Sequence, residues 1–288
     1  MTTMMKAMRV AALTAATLAI PALALAADGT YDKTLNVSGP VQLEVSTGSG
    51  YVHVTPGPDN QVHIIGHVHA NRGWMGGSDD EQVQKVVNNP PIEQSGNVIR
   101  VGQQQHEGWF NHISIDYDIT APRSTHLKAG SGSGDVKAVS MSGGVRLETG
   151  SGSVNGDDLG GDGYLQTGSG DIRVNFSNGG NVTAGAGSGS IRLTGVKGGL
   201  KAETGSGDIS VAGQPLQSWK LETGSGSVDL NLGGSKFTLD AETGSGSIRT
   251  DQPISMQGSL EKHHVTGNVN GGGPTVKVET GSGSIRIH

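Results

Sequence analysis

The chain contains no cysteine and few aromatic residues, and both shortages restrict what it can be. Without cysteine it has neither a disulfide framework nor a lipid-modified cysteine. Aromatic residues make up 3% and hydrophobic residues 33% of the 288 positions, which is little apolar volume for an ordinary three-layer globule. Glycine, by contrast, occupies 49 positions. It shows no period of three, which excludes collagen. It separates short alternating stretches, which indicates ordered strands rather than a flexible linker.

Residues 1–26 read as an export signal. Lys6 and Arg9 precede an apolar run, and Ala24-Leu25-Ala26 fits a cleavage site. The run is too short for a membrane span, so we expect an exported chain, periplasmic or at the cell surface, with no integral membrane segment in its mature form. Removing these two of the 20 basic residues leaves 18 against 26 acidic residues, a charge near −8. Nucleic acid is not an expected partner, because phosphate binding needs a basic patch.

One phrase, Gly-Ser-Gly, recurs through most of the chain. LETGSGSV occupies residues 147–154 and, letter for letter, residues 221–228. Steps between copies are 18 to 20 residues, apart from a last step of 37 in which we expect a degenerate copy at Val265–Val269. An isolated early copy starts at Thr47. Such regular steps indicate a stacked array. The first glycines of the regular copies are Gly132, Gly150, Gly168, Gly187, Gly205, Gly224, Gly244 and Gly281.

Short alternating stretches on both sides of each Gly-Ser-Gly predict two strands per period, each with one buried and one wet face. The fold class that we expect is all-β, a parallel β-solenoid with about 18–20 residues per coil, in preference to a hairpin meander. At each corner, glycine would permit positive φ and would remove side chains that collide between coils. The preceding threonines would point inward, namely Thr149, Thr204, Thr223, Thr243 and Thr280.

Residues from Ile113 onward, ISIDYDITAPRSTHLKAGSGSGDVKA followed by repeated TGSGSI and TGSGDI, resemble a bacterial family of exported "putative adhesins" of unknown function. The resemblance covers most of the mature chain and is clearest over 113–288. It implies a β-solenoid and points toward adhesion or association with the cell envelope. It brings no catalytic residues with it.

The composition divides the mature chain in two. Residues 27–125 read as N-terminal strands and a cap with a short helix near 79–87, N-capped by Ser78 and ended by Asn89-Pro90-Pro91. Residues 126–288 form the repeat region. The sequence stops inside the repeated phrase, so we expect an uncapped last coil that meets a partner or a second copy.

Histidines are the most concentrated special residues. His63, His67 and His69 share one face of a predicted strand, and His53 lies on the wet face of a neighbouring one. Imidazoles so spaced suit zinc or copper, and these four are our candidate metal ligands. The alternative is an exposed polar row, since no carboxylate or cysteine nearby in the sequence completes the set. No other cofactor is expected.

Other kinds of site fit the corners less well. A phosphate loop needs a helix and a following Lys, whereas a strand follows each Gly-Ser-Gly. Calcium would need the aspartates of GSGD, namely Asp135, Asp171 and Asp208, but serine replaces them at other corners and lacks the charge.

An enzyme is not expected. Glutamates recur once per coil, as a solvated scaffold face does, whereas a catalytic pair would break the repeat; they are Glu148, Glu203, Glu222, Glu242 and Glu279. We expect a non-enzymatic exported scaffold, an adhesin or envelope-binding protein whose repetitive polar faces contact surface glycans or proteins. The alternative is a periplasmic accessory or envelope sensor, metal-responsive through the histidine strand. A polysaccharide-active β-helix enzyme is the third reading.

Overall fold

The computed structural model describes residues 28–70, 79–102, 113–255 and 263–288, and within them all strands join one 23-stranded sheet. The strands are β1 Asp28–Asn36, β2 Gln42–Thr47, β3 Val52–Pro56, β4 Gln61–Ala70, β5 Ile92–Ser95, β6 Val98–Val101, β7 Ile113–Ala121, β8 His126–Ser131, β9 Val136–Val139, β10 Val145–Thr149, β11 Val154–Thr167, β12 Ile172–Ala186, β13 Ile191–Val196, β14 Leu200–Thr204, β15 Ile209–Gly213, β16 Trp219–Thr223, β17 Val228–Asn231, β18 Phe237–Thr243, β19 Ile248–Thr250, β20 Ile254–Ser255, β21 His264–Val269, β22 Thr275–Thr280 and β23 Ile285–Ile287. The described part also contains the helix α1, Asp79–Asn88, close to the predicted bounds. The expected signal peptide and the N-cap Ser78 lie outside the described residues.

The prediction of an all-β fold is confirmed. We use the word rung for a unit made of one strand, the Gly-Ser-Gly corner that follows it and the strand after that corner. Each rung is named by the first glycine of its corner. In the repeat region the strands on both sides of the corners pair in parallel with their counterparts in the neighbouring rung: Val145 lies beside Leu127 on one side and Gly163 on the other, 18 residues away each time. Later pairs such as Leu200 with Trp219 are 19 residues apart. β11 and β12 are long enough to end one rung and begin the next.

Alternation along each strand places the core between the two strands of every rung. In β16, Trp219 and Leu221 are buried while Lys220 and Glu222 face outward. The indole Nε1 of Trp219 donates to the Gly198 carbonyl at 2.8 Å, which satisfies its polar atom inside the core. Each fully buried aliphatic side chain contributes about 1.5–3 kcal/mol. The repeat thus builds a narrow core, one rung at a time.

The corners close through a buried threonine. Thr149 Oγ1 donates to the Gly134 carbonyl of the neighbouring rung at 2.8 Å and accepts from the Gly152 amide of its own corner at 3.2 Å. The same pair of bonds recurs at Thr167, Thr204 and Thr223. The prediction that the corner threonines point inward is confirmed by their burial.

The prediction of positive φ at the corner glycines is wrong. The glycines with positive φ in the described part lie elsewhere, for example Gly144 and Gly195. The corners need glycine for space, because a Cβ on Gly150 would lie 2.3 Å from the Gly132 carbonyl oxygen of the rung beside it. Close stacking of one backbone on the next therefore explains the repeated glycine.

The C-terminal rung is not at the end of the stack. In the Gly281 rung, β22 pairs in parallel with β16 on one side and with β18 on the other, so this last rung of the sequence lies between the Gly224 and Gly244 rungs. The free side of β18 is covered by antiparallel β21. Val265–Val269 is therefore an edge-covering strand and not the expected degenerate coil. The premise of an uncapped C-terminal coil is likewise wrong, because both sides of that coil are paired.

The N-terminal strands are built into the same stack. β2 pairs with β8 and β6, and β3 pairs with β9 and β7, so the Gly48 rung lies directly against the Gly132 rung. Beyond it, β7, β4 and β1 pair antiparallel. The helix α1 packs on β1 and β4 and buries Val83 there. The contact is close, because a Cβ added to Gly29 of β1 would lie only 2.7 Å from the Val83 side chain.

Candidate functional site

A row of ion pairs lies on the outer face of four strands that precede corners, namely β10, β14, β16 and β22. On each of these four strands a lysine or arginine is followed two residues later by a glutamate, so both side chains point outward. We call this surface the Lys/Glu ladder; its pairs are Arg146–Glu148 at 2.6 Å, Lys201–Glu203 at 2.8 Å, Lys220–Glu222 at 2.6 Å and Lys277–Glu279 at 2.6 Å.

Stacking brings three of these pairs side by side. Lys220 lies in register with Lys201 and Lys277, and Glu222 with Glu203 and Glu279. Like charges thus stand about 4.8 Å apart along the stack while opposite charges meet along each strand. The ammonium of Lys201 holds the pKa of Glu203 below its ordinary value, and that carboxylate raises the pKa of Lys201.

A shallow groove of about 810 Å³ runs beside the corners on this face. Its outward side chains include Gln166, Glu203, Glu222, Glu242 and Glu279, and Gly185 forms part of its floor. The groove follows the stack and crosses several rungs, so its lining is formed by residues that lie far apart in the sequence.

The four predicted metal ligands lie on one outer surface, together with aspartates. His63, His67 and His69 project from β4, and His53 from β3, with β7 between these strands. β7 contributes Asp116 and Asp118, and the edge strand β1 contributes Asp28 and Asp32 on the other side. We call these eight residues the His/Asp surface.

Each histidine of this surface has a carboxylate partner. His63 Nε2 lies 2.7 Å from Asp32 Oδ1, and His69 Nδ1 lies 3.0 Å from Asp28 Oδ1. The edge strand β1 is therefore joined to β4 by side chains as well as by its backbone ladder.

Asp118 joins the two sides of the surface. Its Oδ1 lies 3.5 Å from His53 Nδ1 and its Oδ2 lies 3.4 Å from His67 Nε2. The hydroxyl of Tyr51 also donates to Oδ2 at 2.8 Å. Burial, with Asp118 next in effect, raises the pKa of Tyr51 to about 12, so this phenol stays a donor at neutral pH.

The structure brings the four histidines onto one surface, and it adds carboxylates that the sequence reasoning missed. Asp116 and Asp118 belong to ISIDYDITA, where alternation alone places them on the wet face, but their neighbours depend on pairing with β4 and β3. Among the described residues, no group of three or more His, Asp or Glu side chains is arranged to hold a metal ion. Metal binding by these residues stays a prediction.

The aspartates of the GSGD corners already have partners. Oδ1 of Asp135, Asp171 and Asp208 accepts the backbone N–H of Ser153, Ser190 and Ser227 in the next rung, at 2.7, 2.8 and 2.8 Å. The Ser190 amide lowers the pKa of Asp171, and Arg173 adds to the effect. At two of the serine corners, the hydroxyls of Ser190 and Ser227 accept the amide of the next rung at 3.3 Å. These aspartates act as stacking contacts within the scaffold.

Comparison with known families decides the assignment. The Toastrack DUF4097 family matches residues 74–288, most of the chain and all of its repeat region. The chain belongs to the Toastrack DUF4097 family. No curated protein matches the chain.

Solved structures that match the chain include two whose names refer to adhesion. A "putative cell adhesion protein" from Clostridium sporogenes is 15% identical over 90% of this chain and 99% of the other, with a TM-score of 0.34. A "putative adhesin" from Bacteroides fragilis is 12% identical over 90% and 97%, with a TM-score of 0.27. A "putative lipid binding protein" from Parabacteroides distasonis is 12% identical over 90% and 96%, with a TM-score of 0.33. Likeness at this level assigns no ligand to this Toastrack chain.

The described part of the chain offers no helix with the length and apolar character needed to cross a membrane.

Proposed function

We propose that this Toastrack protein is a non-enzymatic, exported β-solenoid scaffold that binds components of the cell envelope through the Lys/Glu ladder. The observation that supports the proposal is the register of Lys201, Lys220 and Lys277 with one another, and of their three glutamates. Contacts repeated at one spacing on a flat face suit a partner that is itself repetitive, because many weak contacts add up through avidity.

Stability does not explain the ladder. Its side chains are 31–52% exposed in the three central pairs, and ion pairs this exposed to water and salt add little to folding. An ordered array of charge that adds little to folding is a surface suited to recognition, since charge patterns determine which partners are accepted.

The test is co-sedimentation of the purified mature chain with envelope fractions from the producing cell. We expect binding that falls when Lys201, Lys220 and Lys277 are all changed to Gln. The matched control changes the exposed Lys33, Lys197 and Lys236 to Gln, which removes the same charge away from the ladder. A wild-type chain that stays free of every envelope fraction would disprove the proposal.

The His/Asp surface supports a second, narrower proposal, a metal-responsive envelope sensor. Asp118 brings ring nitrogens of His53 and His67 within 3.5 Å of one carboxylate, and His53 Nε2 is enclosed without a hydrogen-bond partner among the described residues. Since these side chains are not arranged to hold an ion as they stand, zinc binding would require His53, His67 and Asp118 to rotate toward one point and water to complete the shell. Calorimetric titration with zinc tests this: equal heats from the wild type and from the double variant His53→Ala, His67→Ala would exclude it.

A further inference from the structure

The Lys/Glu ladder is interrupted at two adjacent rungs. Between Arg146–Glu148 and Lys201–Glu203, the equivalent outward positions are Tyr164 and Gln166 on β11, then Thr183 and Gly185 on β12. These four residues, which we call the neutral window, carry no charge. With strands about 4.8 Å apart, the window spans roughly 14 Å from one flanking ion pair to the other, enough for one or two sugar rings.

Contacts within the window hold Tyr164 and Gln166 in place. The Arg146 guanidinium lies 3.9 Å from the centroid of the Tyr164 ring, and the phenol donates to Gln166 Oε1 at 2.7 Å. Because this bond uses the amide oxygen of Gln166, the NH₂ group of the same amide points away from Tyr164 and can donate to another partner. Arg146 covers one face of the ring, while the next strand offers only the short Thr183 beside it.

Gly185 leaves a gap in the row. A Cβ there would meet nothing nearer than Gln166 Nε2 at 3.7 Å, so the position has room that no side chain fills. Gly185 also lies directly beside Glu203 of the adjacent strand β14, and it lines the groove described above. The Gln166 amide and the Glu203 carboxylate thus line the groove beside this open position, and Tyr164 and Thr183 lie two residues earlier on the same outward face of β11 and β12.

We propose that the neutral window is a binding site for a neutral saccharide chain. Aromatic rings pack on the C–H faces of sugars, and planar amide and carboxylate groups bind their hydroxyls. Polyanionic glycans would meet the row of Glu203, Glu222, Glu279 and Glu242 along the same groove. A cationic chain gains little from the same row, because Lys201, Lys220 and Lys277 already pair with three of its glutamates and the window itself carries no carboxylate. This inference rests on the proposed envelope-binding function: it places a neutral saccharide at the break in the Lys/Glu ladder, while the charged pairs on both sides of the break contact the rest of the envelope partner.

The structure suggests a variant that fills the window without disturbing the fold. Thr183→Lys with Gly185→Glu installs the ion pair that β14, β16 and β22 already carry at the same positions. The matched control is Ser210→Lys with Ala212→Glu on β15, which adds the same pair at outward positions beyond the corner, on the other strand of a rung. Tyr164→Ala tests the ring separately, and circular dichroism verifies that each variant folds.

The binding experiment uses an array of neutral, anionic and cationic oligosaccharides, followed by calorimetry with the neutral hexasaccharide that gives the strongest signal. We expect the wild type and the β15 control to bind it equally. The filled-window variant and Tyr164→Ala should bind about tenfold more weakly or not at all, as expected for loss of one aromatic contact and its neighbours.

Two outcomes overturn the inference: an array on which the wild type binds no neutral member, or a filled-window variant that binds as the wild type does. If the wild type still sediments with envelope fractions in either case, the proposed function stands and only the site fails. If the wild type binds no envelope fraction, the proposed function itself fails.

Discussion

A single methyl group at a corner should separate two rungs, and Gly150→Ala tests this. The added Cβ would lie 2.3 Å from the Gly132 carbonyl oxygen, and both atoms are tied to backbone that cannot rotate away. Restoring contact distance needs a shift of about 1 Å between rungs that are joined by the Gly150 N–H to Ser131 carbonyl bond. Overpacking costs about 1–3 kcal/mol and a weakened hydrogen bond about 1 kcal/mol. Alanine lowers the conformational entropy of the unfolded chain relative to glycine, which offsets this loss of stability by roughly 0.4–1 kcal/mol.

The net expectation is a loss of about 2–3 kcal/mol in the free energy of unfolding, or roughly 5–10 °C in melting temperature for a chain of this size. The control is Gly48→Ala, at the same position of the same Thr-Gly-Ser-Gly phrase, where an added Cβ meets nothing within 4 Å. It should change the free energy of unfolding by less than about 1 kcal/mol. Urea denaturation followed by circular dichroism measures both variants. Equal losses for Gly150→Ala and Gly48→Ala would refute close rung stacking as the reason for the corner glycines.

Three further predictions concern hydrogen bonds and protonation. Thr204→Val should cost about 1–3 kcal/mol in urea denaturation, because it leaves the buried Gly189 carbonyl and Gly207 amide without their partner, while Thr204→Ser should retain most of the stability. The Asp251 carboxylate lies 2.7 Å from Nδ1 of His288 and raises the pKa of that imidazole. An NMR titration should therefore give His288 a pKa above the ordinary histidine value, and the pKa should fall in Asp251→Asn. The contribution of the His288–Asp251 pair to stability should be present at low pH and should fade as pH rises through the raised pKa of His288. A His288 pKa that is unchanged in Asp251→Asn would contradict the assigned contact. Ser177, then Ser140 and Arg123, lower the pKa of Asp158 to about 2, so its contribution should persist above the ordinary aspartate value and be lost only as pH falls toward 2. A carboxyl titration by NMR in which Ser140→Ala does not raise that pKa would count against the assigned contacts.

The sequence alone determined the local features of this protein. Period-2 alternation predicts which side chains are buried, and Trp219 and Leu221 are inside with Lys220 and Glu222 outside because a strand has only two faces. The repeat of Thr-Gly-Ser-Gly predicts the corner and its inward threonine, since each rung must stack on an equivalent one. These features depend on near neighbours in the chain, and a linear pattern records them directly.

Only the tertiary structure decided which rungs are neighbours. Parallel pairing between identical phrases has nearly the same energy for any two copies, so the sequence does not reveal that the Gly281 rung lies between the Gly224 and Gly244 rungs. The same holds for Asp118, which reaches His53 and His67 only because β7 lies between β3 and β4. The neutral window likewise exists because Tyr164 and Gly185, about twenty residues apart, face outward on adjacent strands. Surfaces of this protein are made across rungs, and the order of the rungs is a property of the fold.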